Sequence, residues 1–420
     1  MNFLISCLIL SFSYDFPIMS LYSNWATIKL SDIVGCLVVL GCFFSRNIKI
    51  INMSLPLSAP FVLYFFICVL TSLHTFYFLS DSRSFEVAFQ YSGYYIFKLF
   101  EFLIFYFILA GATKNEITGN KFLFTFWLGA LFVSGYGILQ HMKVIPNYWG
   151  DKVLMENIVT SSLAYHHSTL GFYMLLIIFI TIGLLLKEKK NLWKIIFSLS
   201  ILLFVYLEIL SLSRSAWVGL SSGLVLWAFS LKGNFDKKIK LLFVLVVIVI
   251  VTLFIFKNFS QTSERLDPFY DLLNRFQRGV PGVESEVTID ARINVFSFFV
   301  DVLKNNPLIL LYGNGFLSSP VRYDYTGSHN QFMDVLIDSG IFGLLFYIWL
   351  LFKMLTTLKK FYSKNYSWYP IYHGFFFALI GLIIGSFSSG FLNITHPFGN
   401  YFGFFMSLLG VVVGMGCREI

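Results

Sequence analysis

Residues 168–190 read STLGFYMLLIIFITIGLLLKEKK: nineteen positions, Ser168 to Leu186, carry no charge, and three lysines follow within four residues. At 1.5 Å per helical residue the uncharged stretch covers about 28 Å, close to the ~30 Å hydrocarbon core of a bilayer. The cluster Lys187, Lys189 and Lys190 then marks the side on which such a helix stops. Similar runs recur along the whole chain. Of its 420 residues 57% are apolar, 20% aromatic and only 12% charged, whereas soluble domains carry about 25% charged residues. Lipid, not water, must solvate most of this protein. The formal charge of +8 lies between apolar runs rather than on one soluble face, which argues against a nucleic-acid partner.

Spans of about twenty apolar residues are expected near Asn2–Ser20, Lys29–Phe44, Pro56–Leu79, Tyr94–Gly111, Phe122–His141, Ser168–Leu186, Leu192–Ser211, Ser215–Leu231, Ile239–Lys257, Gly340–Leu358, Tyr372–Phe391 and Pro397–Gly416. This is an all-α integral membrane protein of about twelve helices. Seventeen Lys and Arg fall in the even-numbered connections and the C-terminus, against five in the short odd-numbered ones. The positive-inside rule therefore puts both termini in the cytoplasm. The N-terminal run lacks a basic region and a small-residue cleavage site and reads as a retained helix.

The expected organisation is helices one to nine over 1–257, an outer loop over 258–330 and helices ten to twelve over 331–420. The loop holds two amphipathic candidates, DPFYDLLNRFQRG (267–279) and DARINVFSFFVDVLKNNP (290–307). In the second, Ile293, Phe296, Phe299, Val300 and Leu303 share a stripe while Asp301 and Lys304 lie elsewhere. Long loops with helices of their own are often lids or binding elements.

Arg214, in SLSRSAWVGL (211–220), sits between two apolar runs with almost no loop. It either snorkels, balanced by Glu208, or binds an anion at the start of the next helix. Arg292 follows Thr288 and Asp290, two N-cap candidates, so it either pairs locally with Asp290 or Glu286 or faces phosphate oxygens. His329, where the loop re-enters the membrane, is an interfacial residue or a general base. His74, His141, His166, His167, His329 and His396 map to the outer half and only His373 to the inner. His166–His167 has no i,i+4 partner or nearby CxxC, so no metal is expected. Cys7, Cys36, Cys42 and Cys68 lie in apolar segments and outline no disulfide framework. There is no GxxxxGK[ST] loop, GxSxG elbow or HExxH helix, and no cofactor is indicated.

AYHHSTLGFYMLL (164–176), SLSRSAWVGLSSG (211–223), ARINVFSFFVDVL (291–303), LYGNGF (311–316) and SHNQFMDVLIDSGIFGLLFY (328–347) occur in an order that resembles the O-antigen ligase and polymerase superfamily. These are bacterial inner-membrane, GT-C-like glycosyltransferases with a large periplasmic loop. The resemblance covers roughly Ser161 to Leu351. It implies that Arg214 and Arg292 hold the diphosphate of an undecaprenyl-diphosphate-linked oligosaccharide and that His329 is the catalytic base, on the periplasmic face. His166, His167, Asn330 and Glu208 are supporting candidates. The acceptor it implies is a lipid-linked repeat unit, for a polymerase, or lipid A–core, for a ligase; a chain-length regulator is a further partner of a polymerase. The Phe- and Tyr-rich composition resembles that of polysaccharide-cluster polymerases, and the resemblance leans that way. A lipid-linked oligosaccharide flippase is the alternative from another class; it should carry charge along its whole transit path, whereas the charges here concentrate at one face.

Overall fold

Helices dominate the computed structural model, which describes residues 1–14, 17–21, 26–44, 55–78, 85–113, 116–145, 159, 161–163, 167–211, 213–230, 289–305, 307–316, 330–363, 368–387 and 401–417. In chain order the elements are α1 (Asn2–Ser11), β1 (Pro17–Leu21), β2 (Ala26–Lys29), α2 (Leu30–Phe44), α3 (Ser58–Phe78), α4 (Phe85–Ala112), α5 (Glu116–His141), α6 (His167–Lys187), α7 (Asn191–Leu210), α8 (Arg214–Ser230), α9 (Ile289–Asn305), α10 (Pro307–Tyr312), α11 (Gln331–Ser363), α12 (Tyr369–Gly385) and α13 (Tyr401–Gly416). Among the described residues, five helical stretches are long and apolar enough to cross a membrane: Gly93–Ala112, Ile117–His141, Ser168–Lys187, Asn191–Leu210 and Gln331–Tyr362. Shorter apolar helices include Leu30–Cys42, Ser58–Leu73, Tyr369–Gly385 and Tyr401–Gly416. The expected span Ile239–Lys257 and the loop helix at 267–279 lie outside the described residues.

The first expected span is shorter than its apolar run suggests. α1 ends at Ser11, and β1 pairs antiparallel with β2, Leu21 opposite Ala26 and Pro17 opposite Lys29. The all-helical expectation is thus relaxed by one small hairpin.

The chain divides into two compact units. The first comprises 1–129, 295–366 and 386–420. Here α13 lies against α4, because Gly410 and Gly414 place no side chain where the Tyr106 and Ala110 backbones run. Small residues let helices approach when lipid supplies no hydrophobic contrast. α3 packs on α11, with the Tyr64 and Tyr347 rings 5.8 Å apart. A buried ionic cluster fastens α2 to α4: Lys98 Nζ pairs with Asp32 and, at 3.0 Å, with Glu101, while the Lys29 amide donates to Asp32 at 3.0 Å. An unpaired charge at such a position costs several kcal/mol, so the three side chains are interdependent.

The second unit comprises 130–294 and 367–385, and its centre is the α8–α12 contact. A Cβ on Gly219 would stand 2.6 Å from the Gly381 carbonyl oxygen, and one on Gly223 would stand 2.9 Å from the Phe377 carbonyl oxygen. These glycines four residues apart form a small-xxx-small face. α6 fills the space behind, with Gly183 against Ile371 and Phe179 against Gly223. At the far end of α8, Ser230 Oγ and His373 Nε2 are hydrogen-bonded at 2.8 Å, and Tyr369 stacks on the imidazole. The lysine-rich turn between α6 and α7 is closed by Glu188, whose carboxylate accepts the Lys189 and Lys190 amides at 2.8 and 2.9 Å. The Lys190 amide, ahead of the other contacts, holds that carboxyl below its ordinary pKa.

Gly219→Ala forces the two helices apart. Overpacking of this kind costs about 1–3 kcal/mol, so thermal unfolding in detergent should begin several degrees lower. Gly135, which meets nothing within 4 Å, is the control: Gly135→Ala should be neutral or slightly stabilising, since alanine is the better helix former. Equal melting of the two variants would remove the close-packing argument.

Candidate functional site

Arg214 is the first residue of α8, and the turn before it is closed by its own serines. α7 ends as the Ser211 amide donates to the Leu207 carbonyl at 2.9 Å, and Ser211 Oγ donates to the Glu208 carbonyl at 2.6 Å. Trp217 Nε1 donates to that same carbonyl at 2.8 Å, tying the first turn of α8 back to the last turn of α7. Ser213 occupies the N-cap, its Oγ 3.4 Å from the Ala216 amide. Ser211, Ser213 and Ser215 are all buried. Arg214 is half-buried in the N1 position, where the first-turn amides lack acceptors inside the helix. A guanidinium at the positive end of a helix suits an anion.

Glu208, one candidate counter-ion, is fully buried, and neither carboxyl oxygen has a hydrogen-bond partner among the described residues. It therefore does not hold the Arg214 guanidinium by a hydrogen bond. Position along the helix suggested the pairing, and the buried carboxyl does not make that hydrogen bond.

In the other unit, Asn330 caps α11. Its Oδ1 accepts the Phe332 and Met333 amides at 3.0 and 3.1 Å, and its Nδ2 donates to the Phe387 carbonyl at 3.1 Å. The Gln331 amide donates to the Ser386 carbonyl at 3.0 Å, and the Phe332 and Phe387 rings stack at 4.6 Å. The residue that follows His329 is thus fixed by three side-chain hydrogen bonds. His329 itself, like His166, lies outside the described residues.

Eleven residues beyond His329 the helix breaks. Gly340 has φ 66° and ψ −173°, a backbone that L side chains rarely adopt. The break turns carbonyls of the first segment toward the LYGNGF stretch. The Asn314 amide donates to the Ile337 carbonyl at 2.7 Å and the Gly315 amide to the Asp338 carbonyl at 2.9 Å. Gly313, at φ 75°, meets Gly340 so closely that a Cβ there would stand 2.7 Å from the Gly340 nitrogen. Two motifs separated in sequence are therefore one structural joint.

α9 contains Arg292 in its first turn, and the side chain lies outside the described residues. Because the helix starts at Ile289, Asp290 lies inside it, and the other N-cap candidate, Thr288, lies outside the described residues. Further along, Phe299 and Leu303 are buried against Ile309 and Ile337, on the stripe that the periodicity marked. His167 begins α6, its side chain again outside the described residues. Sequence reasoning missed Gln331, which is buried with Oε1 lacking a partner among the described residues, and the Asp32–Lys98 pair. The Lys98–Glu101 spacing of three was a local signal for the ionic cluster; nothing local pointed to Asp32.

Apolar spanning helices and an arginine at a serine-capped helix start define a mostly helical, multi-pass membrane protein with an anion-suited end on α8. Residues 199–348, which include Arg214, Arg292 and His329, match the family model described as O-antigen ligase, and this match supports the resemblance to the O-antigen ligase and polymerase superfamily. No curated protein matches the chain.

Proposed function

We propose that the chain is a periplasmic-face glycosyltransferase of the bacterial inner membrane that polymerises a surface polysaccharide, O-antigen being the type case. It moves a glycan from an undecaprenyl-diphosphate carrier onto a lipid-linked repeat unit. The observation that carries this reading is Arg214 in the N1 position of α8, inside the stretch that matches the O-antigen ligase family. A diphosphate is the leaving group such a position accommodates, since guanidinium and helix amides both stabilise developing negative charge.

In the transfer, a hydroxyl oxygen of the acceptor bonds to the anomeric carbon of the donor glycan as the bond from that carbon to the diphosphate oxygen breaks. The electron pair leaves with undecaprenyl diphosphate, held by Arg214 and Arg292. His329 takes the hydroxyl proton. The donor is already activated, so alignment and one proton transfer supply most of what the protein must add. The guanidiniums serve the charge-neutralising role that a divalent cation has in many diphosphate-using enzymes.

A ligase that joins the glycan to lipid A–core is the second reading, favoured by the description of the matching family. Purified protein given an undecaprenyl-diphosphate repeat unit, with and without lipid A–core, separates the two. Chain growth without core is the expected result; product only with core makes the chain a ligase. Movement of the labelled lipid between leaflets without any glycan transfer would overturn both readings in favour of a flippase.

A further inference from the structure

α10 exposes most of its apolar surface although its position is locked. Of the PLILLY segment, Ile309 alone is buried, against Phe299, Leu303 and Ile337. Leu308, Leu311 and Tyr312 are 70%, 42% and 51% exposed. The helix cannot roll to cover them. The Gly313 amide donates to the Ile309 carbonyl at 2.8 Å, the Asn314 and Gly315 amides hold the carbonyls of Ile337 and Asp338, and a Cβ on Gly340 would stand 2.5 Å from the Leu311 carbonyl oxygen. The C-terminal end of α10 therefore rests on the break in α11.

That break has a definable depth. From Gly340 to Leu358 the second segment of α11 rises about 27 Å, close to one hydrocarbon core. Lys359 and Lys360 mark the far end, the side on which the positive-inside rule places the cytoplasm. Just beyond the break, Phe342 and Leu345 are both 55% exposed on a helix apolar enough to span a membrane. The Gly340 end is then the opposite boundary of the apolar layer, and α10 lies at that level. On α9, Asp301 and Lys304 pair at 3.3 Å and are both well exposed, giving the assembly a polar side as well as an apolar one. An amphipathic surface with leucines, and a tyrosine at the headgroup level, matches elements that lie in a membrane interface.

We propose that α10 is an interfacial anchor: Leu308, Leu311 and Tyr312 enter the headgroup–acyl boundary of the leaflet opposite the lysine-rich end. The anchor holds the α11 break, and the start of α11 nine residues before it, at a fixed depth. Its occupant is the lipid surface, not a second copy of the chain or another segment folded over it. The inference stands apart from the reaction proposed above, because it requires only that α11 spans the membrane.

Photolabelling tests this on the unaltered protein. In vesicles containing a phospholipid with a diazirine in the upper acyl chain, label should appear on the peptide covering Leu308–Tyr312 as well as on α11. Label on α11 without label on that peptide would overturn the proposal. Nitroxide labels read the depth directly, at Leu308→Cys and Asp301→Cys in a background without the five native cysteines. Leu308 should favour oxygen over a water-soluble nickel collider, corresponding to about 5–10 Å of immersion, and Asp301 should favour nickel. Nickel-favoured Leu308 would place α10 in water, and low collision with both reagents would mean protein covers it; either result excludes the anchor. Loss of transfer activity in a variant bears on the reaction instead and leaves the label pattern to decide.

Discussion

His329→Ala is expected to abolish glycan transfer and to leave a folded, membrane-inserted protein. A positioned general base contributes about 10²–10⁴-fold, and no neighbouring residue in SHNQ can replace an imidazole that takes a proton near neutral pH. The structural consequences should be small. Asn330 keeps its bonds to Phe332, Met333 and Phe387, and the Gln331 amide keeps the Ser386 carbonyl, whatever stands at 329. With those bonds kept, melting in detergent should stay close to that of the parent protein. Asn330→Ala is the contrasting variant. It removes an N-cap worth about 1 kcal/mol and should lower both stability and transfer without eliminating the reaction. Transfer by His329→Ala within a few-fold of the parent would exclude His329 as the base.

Much of the helical layout was legible because apolar length is a local property. α6, α7 and α8 begin and end within a residue of where the apolar runs begin and end. Length misleads where the chain changes conformation without changing polarity. The run from Asn2 to Ser20 reads as one span, yet the helix stops at Ser11 and the chain turns into a strand paired with Ala26–Lys29; cross-strand pairing is not encoded in apolar count. The opposite failure occurs at α11. Asp334 and Asp338 break the apolar run, so the span seemed to begin at Gly340, whereas helix continues back to Gln331 and Gly340 is its kink. Both aspartates are buried, which hydropathy alone does not anticipate.

The candidate site was legible in residue type and only partly in geometry. SLSRSAW placed Arg214 at the start of a helix, as the structure has it, but did not single out Ser213 as the cap. The joint between LYGNGF and DSGIFG was visible as motifs but not as a contact, because backbone donors paired with released carbonyls leave no side-chain signature. Glu208 shows the limit from the other side: sequence proximity to Arg214 proposed a pair, and no hydrogen bond joins the two.

Arg214→Ala is expected to lower transfer by about 10²–10³-fold, the scale on which single donors to a developing oxyanion act. The position is held from several directions: Ser213 caps the helix, Trp217 ties it to α7, and the Gly219–Gly381 contact seats α8 against α12. None of these involves the guanidinium, so its removal should leave α8 in place. Arg214→Lys distinguishes two origins of the effect. If net positive charge near the helix start were sufficient, lysine would restore most of the rate. If a planar fork must meet two oxygens of the diphosphate, lysine provides one point charge where two parallel donors are needed, and the rate should stay about ten-fold or more below the parent. The loss should fall mainly on kcat, because charge on the bridging oxygen develops as the glycosidic bond breaks and the contact therefore strengthens in the transition state. A variant altered only in KM would make Arg214 a carrier-binding residue with no part in bond breaking. Arg214→Ala acting at the parent rate would remove the anion-site reading of α8 altogether.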